Sequence, residues 1–378
     1  MSKIKLTATC AFGIESILKR ELKELGFEQT AGMDGRIDFE GSLSDIAKTN
    51  INLRTAERVY VNMGEFDAIS FDDLFENTKK IPWEKWIAPD GKFSVNGKSV
   101  KSQLSSVPAC QSIVKKAIVE RLKEAYGIKW FKETGAEFPV DFSLLKDKAT
   151  LFLDTSGTGL HKRGYRTETV EAPMRETLAA ALVLLSYWNK DRLLVDPMCG
   201  SGTICIEAAL IGKNIAPGLN RDFCSEKWPV IDQKLWKNQK EEALKKIDNN
   251  IKLQIKGSDH NPACIEAAKH NASKAGVLQD ITFEVMELDK LWIDKQYGVV
   301  ITNPPYGIRL TDFTEINKLY ISFNKIFKKK TGWSIYIITA DALFENYFKR
   351  SKPDRKRKLY TGKIKVNLYQ YFGERPAD

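Results

Sequence analysis

The residues Asn303-Pro304-Pro305-Tyr306 follow the apolar run Val299-Val300-Ile301-Thr302, and their types suit a particular chemistry. Two consecutive prolines fix φ and carry no amide hydrogen, so the chain leaves a buried strand as a rigid extended corner. The Asn303 side-chain oxygen and the Pro304 carbonyl are then two acceptors in fixed positions. An exocyclic amine on a base is a poor nucleophile because its lone pair is delocalised into the ring. Accepting its hydrogens favours a pyramidal nitrogen that can attack an activated methyl carbon. Tyr306 offers a face for an unpaired or flipped base, a stacking contact of roughly 1 to 3 kcal/mol. A proline-rich turn is the plain structural alternative, and these four residues do not choose between guanine and adenine.

A second cluster, Asp196-Pro197-Met198-Cys199-Gly200-Ser201-Gly202-Thr203, stands between the apolar Leu193-Leu194-Val195 and a helical stretch from Ile204 to Ile211. This places a glycine-rich turn at the carboxyl edge of a sheet, where open α/β folds bind ligands. Gly200 and Gly202 let the backbone approach a ligand, and Asp196 is an acceptor for a positively charged or hydroxylated group. The spacing is neither G-x-x-x-x-G-K-[ST] nor G-x-G-x-x-G, which disfavours both a phosphate-cradling ATPase and a nicotinamide-dependent oxidoreductase. The next strand leads to Gly257-Ser258-Asp259-His260, where the Asp259 carboxylate can accept from both hydroxyls of a ribose. Beyond a third strand stand Glu287 and Asp289; either can receive the amino group of adenine, and Glu287 is the better placed. A ribose-bearing cofactor without a dominant pyrophosphate fits these positions.

The elements that must hold these residues are buried strands alternating with helices: Leu193–Val195, Ile251–Ile255, Ile281–Val285, Gly298–Thr302 and Trp333–Thr339. Such alternation predicts an open α/β sheet with helices on both faces. The chain begins differently, with a strand over Ile4–Thr9, a helix over Ile14–Gly26, and strands at Arg36–Phe39 and Glu57–Met63, a small α+β start. Between Phe93 and Tyr165 come a strand at Phe93–Val95, a polar loop with Lys98 and Lys101, a helix from about Pro108 to Ala125 carrying Lys115 and Lys116, and a strand at Ala149–Thr155. The run His161-Lys162-Arg163-Gly164-Tyr165-Arg166 leads into Ala172–Leu182, read as a helix opened by a proline.

With 378 residues the chain is long enough for two or three domains, and its formal net charge of +10 suits a polyanionic partner. The six cysteines show no C-x-x-C pairing, so neither a metal site nor a disulfide framework is expected. No stretch reaches the roughly 20 apolar residues of a membrane span, and Met1–Lys5 opens without a signal-peptide core, so a soluble cytoplasmic protein is expected. The densest positive run, Lys349–Lys358 with Arg355, Lys356 and Arg357, reads as a loop before a last strand at Lys363–Tyr369. It is a candidate for phosphate contact, a solvated turn being the alternative.

Together these residues resemble the class I amino-methyltransferases that carry N-P-P-Y. More narrowly, nearly all of the chain is similar to the THUMP-containing bacterial 23S ribosomal RNA guanine-N2 methyltransferases. Lys98-Ser99-Val100-Lys101-Ser102-Gln103-Leu104, His161–Arg166 and Ala172-Pro173-Met174-Arg175-Glu176 carry that narrower likeness. The resemblance implies a ferredoxin-like segment over 1–65, a THUMP RNA-binding domain over 66–165, and a Rossmann-like methyltransferase domain over 166–378 with a seven-stranded, mostly parallel sheet. It implies S-adenosyl-L-methionine as cofactor, on Asp196, Cys199, Gly200, Ser201 and Gly202 with their neighbours Met198 and Thr203, on Asp259 beside His260, and on Glu287. Glu287 stands where aspartate is more usual.

Catalysis is implied at Asn303, Pro304, Pro305 and Tyr306. The basic candidates for holding 23S ribosomal RNA are Lys98, Lys101, Lys115, Lys116, Arg163, Arg166, Arg355, Lys356 and Arg357. No obligate protein partner is implied. Residues 213–250 read as an insertion of no evident role, and with Asp378 as the last residue the second, fused methyltransferase of some relatives is not expected. The choice of guanine rests on the resemblance. Adenine-N6 methylation of RNA or DNA remains the alternative, and an RNA-binding protein without turnover is disfavoured by intact Asp196, Asp259 and Asn303.

Overall fold

The computed structural model describes residues 3–33, 35–167, 174–305, 313–341, 343–362 and 364–374. The chain divides into two compact units, one gathering Met1–Thr9, Glu21–Leu160 and Arg221–Glu242, the other Cys10–Arg20, His161–Asn220 and Ala243–Asp378.

The chain enters through β1 (Ile4–Thr9) and α1 (Glu15–Glu24), a helix that spans the division between the units. The first unit continues with β2 (Gln29–Met33), β3 (Arg36–Gly41), α2 (Leu43–Asn52), β4 (Arg58–Asp67), α3 (Phe71–Lys80), β5 (Val95–Val100), α4 (Val107–Tyr126), β6 (Val140–Leu145) and β7 (Lys148–Asp154). Its strands form one sheet in the order β2-β3-β1-β4-β7-β6-β5, antiparallel except for the β5–β6 pair. β4 pairs with β1 on one side and β7 on the other, so the opening α+β segment and the region after it share a sheet. Lys146 and Asp147 join β6 to β7 with φ of 51° and 63°, the left-handed backbone of a two-residue hairpin. Ser106 caps α4 and Gly127, at φ 63°, ends it. The helix buries Cys110, Val114, Ala117, Ile118 and Leu122, the 3.6-residue stripe of an amphipathic helix.

Part of the 213–250 insertion is built into this first unit. Trp228 is 1% exposed, stacks on Phe138 at 5.0 Å between ring centroids and donates its indole N–H to the Glu137 carbonyl at 2.8 Å. Ser225 Oγ donates to the Thr155 carbonyl at 2.6 Å. The insertion continues into α7 (Gln233–Lys245), whose Trp236 stacks on Phe223 at 5.0 Å.

The second unit holds α5 (Glu176–Leu185), β8 (Leu194–Asp196), α6 (Thr203–Gly212), β9 (Ile255–Asp259), α8 (Pro262–Lys274), β10 (Ile281–Val285), β11 (Gly298–Thr302), α9 (Phe313–Phe327), β12 (Trp333–Thr339), α10 (Phe344–Tyr347), β13 (Arg355–Thr361) and β14 (Ile364–Tyr371). The sheet order is β10-β9-β8-β11-β12-β14-β13. β8 to β12 run parallel, and β14 is antiparallel to both of its neighbours. This is the mostly parallel, Rossmann-like class I sheet that the resemblance implies. Trp333, Phe323, Phe327, Tyr320 and Tyr369 pack into its core.

Four sequence readings shift. The strand read at Phe93–Val95 lies at Val95–Val100, so Lys98 stands on β5 and not in a loop. The second buried strand lies at Ile255–Asp259, not Ile251–Ile255, so Asp259 is its last residue. α5 starts at Glu176 with Arg175 as its N-cap, while Ala172 and Pro173 lie outside the described residues. The basic segment read as a loop is a strand from Arg355 onward. β13 pairs along its length with β14, burying Leu359 and exposing Arg355, Lys356 and Lys358. Charged side chains on an edge strand discourage pairing with another chain.

Candidate active site

β8 and β11 are neighbours in the sheet, and both end at its carboxyl edge, one at Asp196 and the other at Thr302 just before Asn303. Thr302 Oγ1 donates to Asp196 Oδ1 at 2.8 Å, which ties the glycine-rich turn to the N-P-P-Y corner. Asp196 is 1% exposed, and burial pushes its carboxyl up to about 7 against the hydrogen bonds from Thr302 and the Met198 amide. A carboxyl raised on folding stabilises the fold at low pH, and that contribution is lost as pH rises through about 7. Asp196→Asn is therefore expected to gain stability relative to the native protein between about pH 4 and 7, with a flatter profile. Denaturant unfolding across that range checks it; parallel profiles would contradict it.

The turn after β8 is held from β9. The Cys199 amide donates to the Ser258 carbonyl at 2.9 Å. Asp259 Oδ2 accepts from the Gly200 amide at 3.0 Å, and its Oδ1 accepts from the Asn261 amide at 3.0 Å. Gly200 has φ +51°, and a Cβ built on it would meet nothing within 4 Å, leaving open space beside the Asp259 carboxylate. Gly202, the N-cap of α6, has φ +79°, and a Cβ there would lie 3.0 Å from Ala268 Cβ and Phe283 Cζ. An open side at Gly200 and a closed side at Gly202 make a cradle that a ribose-bearing molecule can enter. Either alanine substitution costs about 1–2 kcal/mol for left-handed backbone. Gly202→Ala adds the collision and is expected to lower the melting temperature further. Gly200→Ala is expected to act mainly on cofactor affinity; equal melting temperatures for the two variants would contradict the cradle.

Ser201 and Thr203 are buried at the start of α6 and Met198 is half-buried against the core, while burial pushes the Cys199 thiol well up. The Met286 amide donates to the Asp259 carbonyl at 2.9 Å, which brings the neighbouring Glu287 close to Asp259. Glu287 is exposed, and so is most of His260, whose Nδ1 lies 3.4 Å from Asp259 Oδ1.

At the corner itself Pro304 is buried and Pro305 half-buried. Asn303 Oδ1 is buried and has no hydrogen-bond partner among the described residues. A buried acceptor left unpaired costs about 1–3 kcal/mol, so this oxygen is set to receive a donor. Tyr306 lies outside the described residues.

Two of the basic candidates turn inward. Arg163 is 3% exposed and faces Glu207 at 3.6 Å, a carboxylate that also accepts from Tyr165 Oη at 3.1 Å. Arg166 donates to Thr203 Oγ1 and to the Met174 carbonyl, both at 2.8 Å, and lies 3.5 Å from Glu176. These arginines face buried glutamates of α5 and α6, and Arg166 also binds Thr203 beside the glycine-rich turn. The readable signal was Glu176 and Glu207 themselves, carboxylates within apolar helices, which require a buried cation. Lys356 pairs with Glu345 at 2.7 Å, Arg357 donates to the Gly13 carbonyl at 2.9 Å, and Lys115 pairs with Glu133 at 3.0 Å. Lys116 is exposed beside the Phe75 ring, and Lys98, Lys101 and Arg355 are exposed.

A family model described as an RMKL-like methyltransferase domain matches residues 163–370, over half of the chain. The chain belongs to this methyltransferase family. Further models match the RlmL ferredoxin-like domain over residues 5–60 and the THUMP domain over 68–154. YpsC of Bacillus subtilis (strain 168), a candidate RNA methyltransferase by name, is 47% identical over 376 residues, 99% of this chain and 97% of that one. The ribosomal RNA large subunit methyltransferase K/L of Psychromonas ingrahamii is 36% identical over 377 residues, 97% of this chain. The chain spans 50% of that relative's length. The crystal structure of SMU.472 complexed with SAH is 43% identical, with a TM-score of 0.94 and full coverage of both chains. The cofactor of this methyltransferase is S-adenosylmethionine. No helix among the described residues is long and apolar enough to cross a membrane.

Proposed function

We propose that this methyltransferase modifies the exocyclic N2 amine of a guanine in 23S ribosomal RNA, in the cytoplasm. The observation that carries the reading is Asn303 Oδ1, a buried acceptor without a partner among the described residues at the end of a strand tied to the cofactor turn. An amino group has two hydrogens to give. Asn303 Oδ1 takes one and the Pro304 carbonyl takes the other, which withdraws the lone pair from the ring and turns it toward the cofactor side. Bound S-adenosylmethionine supplies an electrophilic methyl group. With the cofactor bound, Asn303 and Pro304 would hold the amine nitrogen against that methyl, and the methylated amine would release its extra proton to water.

Asp259 accepts from the cofactor's ribose, Gly200 leaves room for it, and Glu287 receives the adenine amino group. Lys98, Lys101, Lys116 and Arg355 remain available to phosphates. Stacking on Tyr306 belongs to the same reading. RNA as the polymer is supported by the match to the THUMP domain, and ribosomal RNA by the name of the Psychromonas ingrahamii relative.

Incubation of the full chain with methyl-labelled S-adenosylmethionine and protein-free, unmodified ribosomal RNA or duplex DNA tests the polymer. Label in large-subunit RNA is expected. Label in DNA alone, or in neither, would overturn the reading.

A further inference from the structure

The region matched by the THUMP model carries an aromatic side chain that its own fold leaves in water. Trp130 is 76% exposed, on the connection between α4 and β6. The backbone around it is anchored. The Ile128 amide donates to the Lys123 carbonyl at 3.1 Å and the Gly135 amide to the Asp90 carbonyl at 2.6 Å. Phe131 is 7% exposed and packs edge-on against Phe93 at 5.8 Å, and Glu133 holds Lys115 at 3.0 Å. The indole is thus presented by a fixed stretch of chain whose next residue is buried. On either side Lys129 and Lys132 are exposed, with no ion pair among the described residues.

An exposed indole with an exposed lysine just before it in the chain and another two residues after it suits a polyanion that carries flat rings. Bases stack on such faces whatever their sequence, and the cations meet the backbone phosphates. A protein partner would have to cover two lysine heads, and lysine is depleted at protein interfaces. We infer that Trp130, with Lys129 and Lys132, is a stacking platform for an unpaired base of the RNA substrate. The inference rests on the RNA reading above and adds a second place where the RNA is held.

The test is equilibrium binding of a protein-free large-subunit RNA fragment to the full chain across a salt series. Trp130→Ala is expected to weaken binding by about 5- to 150-fold, with Trp130→Phe retaining most of the affinity. Lys129→Ala and Lys132→Ala are each expected to lower the salt slope by about 1. An unchanged urea-unfolding transition of the first unit confirms that each variant is folded. Native binding with an equally tight Trp130→Ala would overturn the platform alone, whereas absence of native binding would remove the RNA reading along with it. Wild-type RNA affinity in Trp130→Ala, joined to lost retention of large-subunit ribosomal proteins, would assign the indole to a protein and overturn the inference.

Discussion

Asn303→Ala is expected to lower methyl transfer by about 10²–10³-fold, the range found when one preorganised hydrogen-bonding group is removed from a site, and to leave S-adenosylmethionine affinity essentially unchanged. The separation follows from where the atoms sit. The glycine-rich turn is held by Asp196, Asp259 and the backbone of β9, whereas Asn303 stands one residue past Thr302 with its oxygen unpaired among the described residues. Its loss removes an interaction that matters most as the amine becomes pyramidal, so the fall appears in kcat with little change in cofactor binding. Asn303→Asp keeps an acceptor oxygen and retains more activity than the alanine variant. Single-turnover transfer and calorimetric titration with the cofactor measure the two quantities. Loss of both together would place Asn303 in cofactor binding instead.

Trp228→Ala is expected to destabilise the first unit by about 3–5 kcal/mol, the cost of deleting a fully buried large aromatic side chain. The ring is lost from its stack on Phe138, and the Glu137 carbonyl loses its indole donor. Residues 221–242 are then free to leave the unit, and limited proteolysis cuts there first. Urea unfolding followed by proteolysis checks both parts. A loss below about 1 kcal/mol, as for a typical surface substitution, would mean that the insertion only rests on the unit.

The parallel sheet was legible where strands are continuous apolar runs closed by turn residues. Ile281–Val285, Gly298–Thr302 and Trp333–Thr339 stand at the expected residues. β9 was misplaced because Gly257 and Ser258 have little strand propensity. The fold uses Gly257 for close packing, since a Cβ there would lie 2.8 Å from the Phe283 ring. β6 escaped notice because its hairpin turn is Lys146-Asp147 rather than the Asn-Gly or Asp-Gly pair that marks such turns. β13 hid behind its charges, which suit an exposed edge as well as a loop.

In the candidate site, sequence placed Asp196, Asp259 and Asn303 each at the end of a strand but could not say which strands are neighbours. The Thr302–Asp196 bond depends on β11 lying beside β8, a crossover that no local pattern encodes. That Arg163 and Arg166 face buried glutamates was not legible from their charge. Their partners Glu176 and Glu207 lie 10 and 44 residues further along the chain from Arg166 and Arg163, too far for local spacing to reveal the pairs.

Guanine and adenine each present an exocyclic amine with two hydrogens, so the geometry at Asn303 serves either base. Nucleoside mass spectrometry of the methylated large-subunit RNA separates them. N2-methylguanosine is expected with the native protein and formed about 10²–10³-fold more slowly with Asn303→Ala; N6-methyladenosine, or no methylated base at all, would contradict the guanine reading.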